Sequence, residues 1–114
     1  MDIEKTKTQM RKGILEYCIL SIIQKNGDAY ASDLLDELKK SEMIVVEGTI
    51  YPLLTRLKNE ELLAYRWEES TSGPPRKYFT LTDKGAIFLN ELSKTWLQLK
   101  QAVNRITQEN TQNG

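Results

Sequence analysis

The chain has 114 residues, with sixteen basic and sixteen acidic side chains that cancel, so any contact with nucleic acid must come from local patches and not from bulk charge. One cysteine, Cys18, and no histidine exclude an internal disulfide framework, Ser-His and Cys-His nucleophile systems, and histidine-ligated metals. The length suits one domain, and the lack of a long apolar run or of a basic-then-apolar N-terminus leads us to expect a soluble, cytoplasmic protein.

Charge is uneven along the chain. Lys5, Lys7, Arg11 and Lys12 outweigh Asp2 and Glu4 near the N-terminus, whereas Asp28 to Glu42 is net acidic. Ile14, Leu15, Cys18, Ile19, Ile22 and Ile23 recur at helical spacing and predict a first helix over about residues 5–26. Tyr17 and Leu20 widen its apolar surface beyond one face, which implies burial on more than one side. Asn26-Gly27-Asp28 ends it, Gly27 being suited to a left-handed position. A second helix is expected over about residues 30–40, with the stripe Ala31, Leu34, Leu35 and Leu38 and with Asp28 as its cap. Met43-Ile44-Val45-Val46 is β-favouring and reads as a small strand or an extended link.

In the third helix, Ile50, Leu53, Leu54 and Leu57 fall at i, i+3, i+4 and i+7, the stripe of a helix packed on a core. Pro52 lies in or just past its first turn, where a missing N–H costs least. The other face carries Thr49, Tyr51, Thr55, Arg56 and Lys58. Hydroxyls, an amphipathic ring and cations suit the phosphates and base edges of a DNA major groove. An ordinary surface helix could carry the same residues, and the pattern of the next two segments decides between the two.

Leu63 to Glu68 alternates apolar and polar residues, Ser70-Thr71-Ser72-Gly73-Pro74-Pro75 is a turn by composition, and Arg76 to Leu81 resumes a β-favouring pattern. Arg76 and Lys77 flank the hairpin tip, so the turn would present cations outward, and Trp67 would pack the hairpin against the core. Helix, helix, short strand, helix, hairpin is the order of an α+β winged helix–turn–helix. Its third helix enters the major groove, and the wing touches the neighbouring backbone or minor groove.

Thr82 is placed to cap a last helix, with Asp83 at the positive end of its dipole. Leu89, Leu92, Trp96, Leu99, Val103 and Ile106 alternate three- and four-residue steps, a coiled-coil seam on a helix roughly 35 Å long. That exceeds what so small a domain can cover, and a second copy of the chain is the economical partner. The alternative is that the seam packs on the first helix of the same chain. Trp96 reads first as a large residue of the dimer core. The expected organisation is a DNA-binding unit over residues 1–81, its first helix also at the dimer interface, a dimerisation helix over 82–108, and a disordered tail over 109–114.

Met10-Arg-Lys-Gly-Ile-Leu-Glu, Tyr30, Glu47-Gly-Thr-Ile-Tyr-Pro-Leu-Leu-Thr-Arg-Leu and Arg76-Lys-Tyr-Phe-Thr-Leu-Thr-Asp-Lys-Gly85 together resemble the PadR family of bacterial transcriptional regulators. The short C-terminal part is similar to its small, multidrug-binding members. The resemblance implies a homodimer that represses promoters and leaves its double-stranded operator when a small molecule binds. It puts DNA contacts at Lys12, Gly48, Thr49, Tyr51, Thr55, Arg56, Lys58, Arg76 and Lys77. Because multidrug-binding members sandwich planar aromatic ligands between paired tryptophans at the position of Trp96, it also implies an effector site at Tyr17, Leu92, Trp96, Leu99 and Lys100. Two departures from the pattern stand out. Glu61 stands where the family has glycine after the recognition helix, which predicts a re-shaped turn, and Tyr30-Ala31-Ser32 replaces Tyr-Gly-Tyr.

No cofactor or metal is expected, and an enzyme is not. Glu60/Glu61 and Glu68/Glu69 read as solvated charge, Gly48 and Gly73 are too isolated for a phosphate loop, and Cys18 lies on an apolar face. Two other functions compete with the regulator: a winged-helix protein-interaction module without DNA binding, and a small-molecule-binding protein with a secondary DNA role.

Overall fold

The computed structural model describes residues 2–43, 45–70 and 72–112, the last four of them as backbone. The elements are α1 (Ile3–Asn26), α2 (Ala31–Lys40), α3 (Glu47–Asn59), β1 (Leu63–Ser70), β2 (Gly73–Leu81) and α4 (Asp83–Gln112), the expected winged helix–turn–helix followed by a long helix. Helix α1 starts earlier than its periodicity suggests because Asp2 Oδ1 accepts from the N–H groups of Glu4 and Lys5 at 3.0 and 3.4 Å. It ends at Gly27, whose φ of 86° needs no Cβ to be accommodated. Helix α2 is capped differently from expectation: Asp33 Oδ2 accepts from the Tyr30 N–H at 3.0 Å, whereas Asp28 is drawn into an ion pair with Arg66. Between α2 and α3, Met43, Val45 and Val46 form a link and not a strand, with Val46 at the N-cap of α3. Ile44 lies outside the described residues.

The core is one cluster. Leu15, Ile19, Leu20 and Ile23 of α1 meet Leu34 and Leu38 of α2, Ile50, Leu54 and Leu57 of α3, and Leu63 and Phe79 of the hairpin. The hairpin is tied to this core at its base. Its register runs from Leu63 opposite Leu81 to Glu68 opposite Arg76, with a bulge before Ser70 pairs with Gly73. Ala29 exchanges both backbone hydrogen bonds with Phe79, at 3.0 and 2.9 Å. The Gly-Pro-Pro segment, expected in the turn, lies inside β2. A two-stranded ribbon has open edges on both sides, so a proline need not break a ladder. Thr71, part of the expected turn, lies outside the described residues.

The junction between α3 and α4 is tightly bonded. The Leu62 N–H donates to the Leu57 carbonyl and the Glu61 N–H to the Lys58 carbonyl, at 3.0 and 2.9 Å. Glu61 takes a φ of 64°. The turn therefore keeps the left-handed form a glycine would take, contrary to the re-shaping expected, and Glu61 bears the strain. Thr82 caps α4 as expected, its Oγ1 accepting from the Gly85 N–H at 2.9 Å while its hydroxyl reaches the Glu61 and Leu62 carbonyls at 2.6 and 3.1 Å. A Cβ on Gly85 would collide with the Leu62 carbonyl and the Leu81 side chain.

Helix α4 leaves the core after its first turns, and the chain measures 61 × 32 × 22 Å. Leu89, expected at the dimer interface, is only 4% exposed because it completes the core of its own chain. Leu92 is half-buried against that core, while Trp96, Leu99, Val103 and Ile106 are exposed. Residues 113 and 114 of the expected tail lie outside the described residues, and the helical backbone continues to Gln112.

Gly85→Ala is expected to lower unfolding stability by about 2–4 kcal/mol, since backbone blocks the new methyl. Glu61→Gly should raise it by about 0.5–1 kcal/mol, because relief of the left-handed strain outweighs the added entropy of the unfolded chain. Urea unfolding at one protein concentration measures both.

Candidate nucleic-acid interface

Burial of Ile50, Leu54 and Leu57 divides the remaining surface of α3 into a crest and two flanks. Gly48, Pro52 and Thr55 lie exposed along the crest, and an added Cβ on Gly48 would meet nothing within 4 Å. One flank faces α1. Thr49 shares a cavity of about 170 Å³ with Thr8, Arg11 and Lys12, and Arg56 is ion-paired with Glu16. The other flank faces the hairpin. Tyr51 and Thr55 look across a cleft of about 510 Å³ at Trp67, Arg76 and Lys77, and Lys58 Nζ lies 5.6 Å from the Tyr65 ring centre. The structure thus brings the sequence-predicted set into one strip running from α1 across α3 to the hairpin.

The hairpin's two faces differ. On one, Arg76, Tyr30, Tyr78 and Arg66 form a stack: the Tyr30 and Tyr78 rings lie 3.7 Å apart at 24°, with Arg76 5.1 Å from Tyr30 and Arg66 4.8 Å from Tyr78. Arg66 also bonds Asp28 and Glu68, each at 3.1 Å, which raises its pKa and neutralises it locally. On the other face Lys77 Nζ lies 4.5 Å from the Tyr65 ring and 5.2 Å from the Trp67 ring. Arg76 and Lys77 therefore sit along the strand that leads from the tip, held over rings. Among the described residues, Lys12, Lys58, Arg76 and Lys77 enter no ion pair, so their charge is available to an anion.

Three residues have surroundings that the sequence alone does not disclose. Trp67, expected to pack the hairpin on the core, is 61% exposed, because the hairpin extends past the core and its outer half has nothing to pack on. Period-two alternation marks its face but not whether that face is covered. Glu16 carries no local signal of its pairing with Arg56, forty positions away. Tyr30 stands out in the sequence only through its motif, and its stack depends on a strand far along the chain.

The residues expected to hold an effector divide into two groups. Tyr17 donates to Ser93 Oγ at 3.4 Å and lines cavities of about 330 and 180 Å³, neither of which includes Trp96. Trp96 is 38% exposed, on the stretch of α4 beyond the core, with Leu99 and Lys100 farther along it. Burial pushes the Cys18 thiol up, which disfavours the reactive thiolate. Among the described residues there is no group of three or more potential metal ligands.

The Tyr78 phenol is pushed up to about 12, first by its hydrogen bond with Tyr30, then by desolvation and by the charges of Asp28 and Glu68. In an ultraviolet titration Tyr78 should ionise only as pH approaches about 12, and Tyr30→Phe should bring it back toward the usual range. The linked stability is intact below pH 10 and declines as pH rises toward 12, because the unfolded chain releases this proton first.

The model of the PadR-like transcriptional regulator family matches residues 19–91. A PadR-like transcription factor from Bacteroides fragilis is 58% identical, with a TM-score of 0.75 over 90% of this chain and 99% of that one. A PadR-like transcriptional regulator from Bacillus cereus is 42% identical, with a TM-score of 0.77 over 88% and 97%. Bacillus subtilis PadR, solved in complex with operator DNA, is 27% identical, with a TM-score of 0.64 over 69% of this chain and 45% of that longer one. With more than half its length matched and the same winged fold throughout, the chain belongs to the PadR-like family of transcriptional regulators.

Proposed function

We propose that this regulator binds a double-stranded operator as a homodimer, acts as a repressor, and is released by a small-molecule effector. The observation that carries the DNA reading is the strip itself: hydroxyls on α3, between Lys12 on one side and Arg76 and Lys77 on the other. Helix α3 enters the major groove with Thr49, Tyr51 and Thr55 toward base edges, and Lys12, Lys58 and the hairpin cations hold phosphates. The Bacillus subtilis relative in complex with operator DNA supports this assignment. Among the described residues no helix is long and apolar enough to cross a membrane, and we place the regulator with DNA in the cytoplasm. The family is one of regulators, and we assign no catalysis.

The dimer reading rests on the uncovered apolar surface. Trp96, Leu99, Val103 and Ile106 of α4 are exposed, Ile106 by 77%, as are Ile3 and Met10 of α1. Residues 1–81 then form the DNA-binding unit and 82–108 the dimerisation helix. A two-fold axis near Trp96 would bring two indoles together, able to bracket a flat aromatic ligand. Such a ligand releases DNA only by preferring one protomer arrangement, since equal affinity shifts nothing.

The rival, an interaction module without DNA binding, draws on one observation: Arg56 is already paired with Glu16. If the regulator reading holds, Arg56 exchanges Glu16 for DNA. The chain should then bind its own upstream region specifically, with affinity falling steeply as salt rises. Arg56→Ala should weaken the specific complex by about 1–3 kcal/mol if it reaches a base edge, and Glu16→Gln should tighten it severalfold. An upstream duplex bound no better than a scrambled one would favour the module.

Sedimentation of a chain ending before Leu92 should report a monomer, and a persisting dimer would refute the interface. In a Trp67→Phe background, planar aromatic compounds should quench Trp96. No quenching by any compound, in a chain whose wild-type form binds DNA, would leave Trp96 as dimer core alone.

A further inference from the structure

Trp67 stands at the middle of β1, opposite Lys77, with its indole largely in water. Burying such a ring is among the larger stabilisations a side chain can supply, and here the fold makes little use of it. The ring is nonetheless held in place. Tyr65 meets it edge-on, centres 6.2 Å apart at 89°, and the Lys77 ammonium lies over both rings.

The charges around it indicate what it faces. Lys77 is in contact with the ring, and Lys58 lies over the neighbouring Tyr65. Glu68, next in sequence, bonds Arg66 on the opposite face, and the ladder is broken between Glu68 and Ser70, so Glu69 falls in the bulge. An exposed aromatic platform with cations and few free anions fits an anionic chain that also carries apolar surface. Across the cleft stand Tyr51 and Thr55 of α3.

We propose that Trp67 is a DNA-contacting residue. With α3 in the major groove and the hairpin beyond it, the cleft receives the sugar–phosphate strand that separates the two grooves. The indole face packs on a deoxyribose of that strand, its N–H donates to a phosphate oxygen, and Lys77 neutralises the same phosphate. This assignment rests on the regulator reading and adds a contact that carries no charge of its own.

The charge distinction supplies the test. Full-length wild type, Trp67→Ala, Trp67→Phe and Lys77→Ala are titrated by fluorescence anisotropy against labelled upstream and scrambled duplexes over a salt series. Trp67→Ala should weaken both duplexes by about tenfold with the salt slope unchanged. Lys77→Ala should lower the slope by about one unit. Trp67→Phe should recover the packing part of the loss. Thermal melting of Trp67→Ala should match wild type, as expected of an exposed ring. Affinities within about twofold of wild type would overturn the assignment, as would a large drop in melting temperature or a loss confined to the upstream duplex. A wild-type protein that binds neither duplex would instead overturn the regulator reading, and this assignment with it.

Discussion

The contact on which the architecture depends is the close approach of Gly85 to the Leu62 carbonyl. It joins the end of α3 to the start of α4 through the Thr82 hydroxyl and two backbone turns. The direction of the long helix is thereby set relative to the helix that carries the polar strip. A flexible connection would let the two swing independently. Here the last carbonyls of α3 accept from the N–H groups of Glu60, Glu61 and Leu62, and the Glu61 and Leu62 carbonyls of that turn are in turn held by the cap residue of α4, so the two helix ends share one hydrogen-bonded turn.

Electrostatics on this neutral chain is local. Asp28 and Glu68 neutralise Arg66, and Glu16 neutralises Arg56. Among the cations these pairs leave over, Lys12 on α1, Lys58 at the end of α3 and Arg76 and Lys77 along β2 lie on the strip. Ring stacking orients the two on β2 with little loss of charge, because a cation over an aromatic face keeps its charge. Sixteen acidic residues therefore need not abolish an anion-binding surface, provided the acids are tied up elsewhere or lie off the strip.

How much of the molecule is legible in the sequence depends on the range of the interactions. Helical periodicity locates all four helices, Gly27 and Thr82 announce their roles from local chemistry, and the alternation on either side of the Gly-Pro-Pro segment marks the hairpin. Choices between equally good local options are not legible. Asp28 and Asp33 are both credible caps for α2, and Arg66, thirty-eight positions from Asp28, decides between them. Trp67 alternates like a buried residue, and only the length of the hairpin relative to the core exposes it. The seam of α4 is legible as a pattern, but not that Leu89 is used by its own chain. Gly85 reads as part of a cap motif; the carbonyl that forbids any side chain there becomes visible only once α3 and α4 are placed together.

The hairpin is clamped toward its base, by the Ala29–Phe79 bridge, the Tyr30–Tyr78 stack with Arg76 over it, and the Arg66–Asp28 ion pair. Mechanically it is a cantilever. From Phe79 to Gly73 the strand reaches roughly 20 Å at ~3.3 Å per residue. A tilt of about 10° at the clamp would displace the tip by about 3.5 Å, well beyond the ~0.5 Å range over which a hydrogen bond keeps its geometry. The stiffness of this clamp, the two stacked rings included, therefore sets how accurately the outer hairpin is aimed, and loosening the stack would blur its position without altering any residue at the tip.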